Sequence, residues 1–261
     1  MGRSKDRHRK FLADHPICYN CGQNASTTID HVPSRECFHH RVGPEGFEFP
    51  ACEDCNIKLS KIEQAFALLI RLADFTPDTF DQSQLEKLVQ GVRNNNPDLL
   101  PEDFKTRREK RNWLKNIGYQ MQPGEIVDDV SILKMGDGWR DALDAFSRKL
   151  LAALYYKEIG RPLTPDHLLR TLVVQYVDGK GQKLLEKLVP MLPELRIGQR
   201  RNTNIGDQFL YAFGTKPEAE LFVFFAQFSQ AWFVLGVAGL PQYLTDREGY
   251  ISHRDSLAQK F

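Results

Sequence analysis

The stretches "PICYNCGQNASTTIDHVPSREC" (residues 16–37) and "FPACEDCNIKLS" (49–60) decide how the N-terminal part of this chain folds. They hold four of its five cysteines, arranged as two Cys-x-x-Cys pairs with thirty residues between them. A two-residue gap lets both sulfurs of one pair face a single ion, and a second pair completes a tetrahedron. Four soft thiolates from Cys18, Cys21, Cys52 and Cys55 favour Zn²⁺ over harder ions. Gly22 suits the tight turn after the first knuckle, and the second knuckle opens into a helical pattern. That is a treble-clef layout, with zinc in a structural role. Cys37 is left over, as a small apolar residue or free thiol rather than a fifth ligand.

Between the knuckles, "TTIDHVP" reads as a short strand with Asp30 and His31 at its end and Pro33 turning the chain away. Asn56 follows Cys55 directly, at the start of the helix. One ion fixing both knuckles would bring the strand end and Asn56 to the same side of a hairpin-helix unit. Asp30 then offers a carboxylate oxygen and Asn56 an amide oxygen, hard donors suited to Mg²⁺ or Mn²⁺. An imidazole at His31 could accept a proton from a water attacking phosphorus.

The order Cys-x-x-Cys, Asp-His-x-Pro, Cys-x-x-Cys-Asn resembles the zinc-bearing branch of the HNH endonucleases, whose core is the ββα-metal fold. The resemblance covers about residues 15–75. It implies that His31 is the general base, that Asp30 and Asn56 bind the catalytic divalent ion, and that the substrate is DNA. Two departures stand out. Phe47 occupies the place where many members carry a middle Asn, which leaves a backbone carbonyl, Glu45 or Glu48 to orient His31. Ser60 stands one turn after Asn56, where a further histidine would be expected. Lys58 could reach a phosphate, or remain a solvated helix lysine.

Beyond this unit, periodicity organises the rest of the chain. Leu59, Ile62, Phe66, Leu69 and Ala73 recur at helical steps, as do Leu85, Leu88, Val89 and Val92 before "NNNPD". Pro77 could open a new helix. The basic segment Lys105–Lys115 reads as helical, and a strong helix carries Trp139, Leu143, Phe146, Leu150 and Leu154 on one face. A further helix is predicted from "LTPDH" through Leu168, Leu169, Leu172 and Val173. Strand-like runs follow, "DQFLYAFGT", "ELFVFFAQF" and "AWFVLGVAG". Gln227, Ser229 and Gln230 interrupt the most apolar segment (221–240), so it reads as two buried strands rather than a membrane span. His167 and His253 read as ordinary exposed or capping residues, and Arg196, Arg200 and Arg201 as a loop charge cluster.

The expected class is α+β, in three parts. These are an HNH-like zinc domain (1–75), a helical connector (76–135) and a C-terminal domain of helices plus a small antiparallel sheet (136–261). With 35 Lys and Arg against 34 Asp and Glu, global charge selects no anionic partner. Local basic runs exist: "MGRSKDRHRK" (1–10) as a basic arm, and "KTRREKRNWLK" (105–115). The polar N-terminus and the paired cysteines point to a reducing, cytoplasmic compartment. The expected activity is metal-dependent hydrolysis of DNA phosphodiesters. The competing reading is a non-catalytic zinc module that binds nucleic acid or protein. The C-terminal part could serve as a sensor or partner-binding unit.

Overall fold

Thr28–His31 and Glu48–Ala51 are short because each is bounded by turn-forming loops, and they pair antiparallel as β1 and β2 with His31 opposite Glu48. The computed structural model describes residues 2–73, 81–100, 105–116, 119–121, 123–128, 130, 138–175, 196–197, 205, 208–229, 231–244 and 248–259. Ahead of the hairpin, the basic run belongs to helix α1 (Gly2–Asp14), not to an extended arm. Directly after β2, α2 (Glu53–Ala73) begins with Glu53 and Asp54 in its first turn, where carboxylates complement the helix dipole. Its apolar stripe Leu59, Ile62, Phe66 and Leu69 is buried, as the spacing predicts.

Helix α3 (Gln82–Asn95) starts at Asp81, whose side chain accepts from the Gln84 backbone N–H at 3.1 Å, and it ends at Asn96 before Pro97. The basic segment forms α4 (Arg107–Asn116). Leu114 there packs with Val127 and Val130 in a small satellite core. Helix α5 (Gly138–Ile159) buries Trp139, Phe146, Leu150 and Leu154.

The predicted helix through Leu168, Leu169, Leu172 and Val173 is instead strand β3 (Leu168–Gln175). Apolar residues spaced 168, 169, 172 and 173 fit one helix face. The β-branched Thr171, Val173 and Val174 favour a pleated surface, and pairing along the whole strand decides for it. With β4 (Arg196–Ile197), β5 (Phe209–Lys216), β6 (Leu221–Phe228), β7 (Trp232–Gly239) and β8 (Ile251–Ser252), it makes an antiparallel sheet ordered β4-β5-β6-β7-β3-β8. The apolar segment 221–240 is thus two buried strands. Among the described residues, no helix is long and apolar enough to cross a membrane.

Helix α5 lies against β3, β6 and β7 on one side and against α2 on the other. The joint is aromatic. Phe66 of α2 stacks on Phe146 of α5 with ring centroids 3.6 Å apart, and Phe228 meets Phe66 edge-on at 5.3 Å. Phe47, beside β2, sits edge-on to both Phe209 and Tyr211 at 5.5 Å. Buried side chains of the cysteine-knuckle region and of the six-stranded sheet therefore belong to one contiguous core.

His167 and His253 are buried rather than exposed. His167 Nδ1 accepts from the Thr164 backbone N–H at 3.1 Å, and the His253 N–H donates to the His167 carbonyl at 2.8 Å. Burial holds the His253 imidazole down at about 4, so it is neutral at pH 7. The sequence signal misleads here because neither residue lies in an apolar period. A tight turn at 164–167 and a short C-terminal helix, His253–Ala258, carry them inward. Pro77, Arg200 and Arg201 lie outside the described residues, as does most of the polar stretch ending at "MGDGW". Arg196 is exposed on β4.

Candidate metal centre and active-site cleft

The first knuckle is closed by backbone bonds from Gly22 N–H to the Cys18 carbonyl and from Cys18 N–H to the Asn24 carbonyl, both 2.9 Å. Gly22 has φ +64°, and a Cβ there would come within 3.1 Å of the Leu163 carbonyl, so only glycine serves. The second knuckle spans the junction of β2 and α2, with Asn56 N–H bonded to the Cys52 carbonyl at 3.1 Å. The Sγ atoms of Cys18, Cys21, Cys52 and Cys55 all lie within 4.8 Å of one another. Zn–S bonds of about 2.3 Å place tetrahedral sulfurs roughly 3.8 Å apart, and Cys21 and Cys52 stand at 4.0 Å.

The cluster could therefore hold a metal ion such as zinc. Crowding couples the thiols: the hydrogen bond with Cys21, together with burial, pushes Cys18 up to about 11, while Cys21 is drawn down by its neighbours. Four clustered thiolates, three of them buried, would require a cation to offset their charge. Asn24 steadies them from outside, through its backbone N–H toward Cys21 Sγ at 3.5 Å and its side chain toward Cys52 Sγ at 3.8 Å. Cys37 is buried outside the cluster.

The hairpin and α2 enclose a cleft of about 460 Å³, lined by Asp30, His31, Asn56 and Glu63 among others, with Arg35 and Arg41 at its edge. All three sequence-predicted site residues thus border one space. Asn56 Nδ2 donates to Thr28 Oγ1 at 3.1 Å, tying the start of α2 to β1 on the strand face that also carries Asp30. That bond leaves the amide oxygen of Asn56 as its remaining polar atom.

His31 is half-buried, with Nε2 3.6 Å from Glu48 Oε1 across the hairpin. Glu48, not Phe47, faces the imidazole; Phe47 is given over to the core. Burial, helped by the Arg35 guanidinium, holds the His31 imidazole below its ordinary value against the opposing pull of Glu48 and Asp30. Glu48 is itself steadied by Arg7 at 3.2 Å and Arg35 at 3.8 Å. Lys58 is directed away from the cleft, to the Leu257 carbonyl at 3.0 Å and to that of Gln259.

Asp30 is buried and part of a network that the motif does not announce. Its Oδ2 accepts from Tyr19 Oη at 2.9 Å and from Lys149 Nζ at 2.8 Å. Lys149, on α5, also reaches Glu63 Oε2 at 2.5 Å and is wholly enclosed. Burial alone would lower the ammonium, but Glu63 and Asp30 outweigh it and raise it, so Lys149 stays charged. Burial pushes the Glu63 carboxyl up to about 8 despite Lys149. Glu63 Oε1 is buried and has no hydrogen-bond partner among the described residues.

Chemically, the cleft offers hard oxygen donors at Asp30 and Asn56, a neutral imidazole at neutral pH, and guanidinium groups at the rim. The donors fit an oxygen-ligated dication that keeps waters of its own. Compared with protein-family models, curated proteins and solved structures, the chain matches none.

Proposed function

We propose that the chain is a metal-dependent endonuclease of the HNH type, hydrolysing phosphodiester bonds in nucleic acid, with DNA the expected substrate. The observation carrying this reading is that Asp30, His31 and Asn56, named by the motif, line one cleft between hairpin and helix beside Arg35 and Arg41. On this reading the four-cysteine cluster holds a structural zinc in a treble-clef unit. Asp30 and Asn56 would hold a divalent ion, which would supply charge neutralisation at the scissile phosphate. His31, kept neutral by burial and Arg35, accepts a proton from the attacking water at a ring nitrogen. Glu48 places a carboxylate 3.6 Å from the imidazole across the hairpin. Lys149 and Tyr19 bind one oxygen of Asp30, so its carboxylate presents itself to the cleft in one orientation.

The test is plasmid and single-strand cleavage over Mg²⁺, Mn²⁺ and chelator, with His31→Ala beside the parent. Removing the base should cut the rate at least about 100-fold while zinc content and far-UV circular dichroism stay as in the parent. Undiminished nicking by the variant would refute the assignment.

One observation favours a second reading. Lys149 already neutralises part of the Asp30 charge, as suits a zinc module that binds nucleic acid without cutting it. That reading requires equal binding in chelator and in Mg²⁺, with no cleavage in either.

A further inference from the structure

The cleft at His31 does not end at Arg41. A second cavity of about 290 Å³ adjoins it between α2 and α3 and shares Glu36, Arg41 and Gln64 with it. Its other polar lining is Arg71, Lys87 and Gln84. Three cations thus face one carboxylate, with two amides that can donate to an anion. The cations are held in different ways. Arg71 is buried at the α2 end and bonded to His39 Nδ1, which fixes the guanidinium. Lys87 is exposed on α3. Arg41 stands largely in solvent, 3.6 Å from Glu36, and borders both cavities. A surplus of positive charge in a recess, with one guanidinium fixed beforehand, suits a phosphate group.

We infer that this second cavity is a phosphate subsite, holding the backbone phosphate next to the scissile one, so that a nucleic-acid strand runs from His31 past Arg41 toward Lys87 and Arg71. The inference rests on the nuclease reading for the meaning of "scissile", but its binding content stands apart from catalysis. The strand is held through its backbone, because among the described residues the subsite offers cations and amides to phosphate and no aromatic face for a base.

The experiment measures binding of the full-length, zinc-loaded chain to a fluorescent oligonucleotide in EDTA, between 50 and 200 mM salt, so that no cleavage intervenes. Lys87→Gln and Arg41→Gln should each weaken binding several-fold and reduce the salt slope by about one phosphate contact. Lys87→Arg should restore affinity, and Lys216→Gln, at the exposed end of β5, should leave it unchanged. Because Lys87 is exposed, loss of fold does not confuse the result, and circular dichroism checks this. A methylphosphonate placed beside the scissile position should weaken the parent but add little to Lys87→Gln. If the parent binds and neither Lys87→Gln nor Arg41→Gln changes affinity or slope, the subsite is refuted while the nuclease reading stands. If these variants behave as stated but the parent cuts nothing in any ion, the subsite holds and the catalytic reading falls. If the parent does not bind at all, both fall.

Discussion

At the scale of single residues, the most consequential group is one the motif never names. Among the described residues, Lys149 carries the only ammonium between Asp30 and Glu63, and all three are buried. Removing one partner of such a pair leaves an uncompensated charge out of water, at about 3–5 kcal/mol. Lys149→Met should cost that much, because it strands the buried Asp30 carboxylate and leaves Glu63 without its partner. Glu63→Gln should cost less, roughly 1–2 kcal/mol, since the amide still accepts from Lys149 and Asp30 keeps its ion pair. Urea unfolding of zinc-saturated protein gives the order directly, and Glu63→Gln costing as much as Lys149→Met would show that the trio is not organised around the ammonium. A sequence signal for both residues existed. Glu63 lies four residues after Leu59 and three before Phe66, and Lys149 three after Phe146 and four before Ala153. Each therefore sits on a buried helix stripe, where a lone charge requires a partner. Which partner it finds depends on how α2 and α5 cross, and helix periodicity does not encode that.

At the scale of elements, what could be read in advance was what local chemistry specifies. The doubled Cys-x-x-Cys spacing led to the four-thiol cluster, and three-to-four periodicity led to α2, α3 and α5. Strand β3 escapes the periodic reading because Leu168, Leu169, Leu172 and Val173 fit one helix face; the facing strand β7 resolves the choice, and that pairing spans some sixty residues. The hairpin β1–β2 has a related weakness: two strands of four residues cannot hold themselves together in water. What fixes them is the knuckle on either side. Cys52→Ser should therefore abolish stoichiometric zinc and expose residues 16–60 to protease, whereas Cys37→Ser, outside the cluster, should keep zinc. Zinc content by mass spectrometry of the native protein, paired with limited proteolysis, decides this. A Cys52→Ser protein that still binds one zinc and resists protease would show that the thiols are not the staple.

At the scale of the molecule, the question is whether the four-cysteine unit is a domain in its own right. Its apolar surface argues against independence. Phe47 is covered by Phe209 and Tyr211, Phe66 by Phe146 and Phe228, and Asp30 is neutralised by Lys149, all supplied from beyond residue 138. Exposing a buried Phe costs about 1.5–3 kcal/mol, so uncovering two of them and stranding Asp30 consumes most of the 5–15 kcal/mol that holds a typical domain together. A fragment of residues 1–75 should thus be poorly dispersed by NMR even with zinc present, although the four thiols remain. The full chain should unfold in one transition, with zinc release, far-UV signal and loss of nucleic-acid binding coinciding on a single denaturant curve. A well-dispersed, zinc-bound 1–75 fragment, or a zinc-release midpoint clearly separated from that of the sheet, would mean that the aromatic joint is incidental. Coincidence would mean that the C-terminal sheet, through α5 and Lys149, is part of what shapes the cleft.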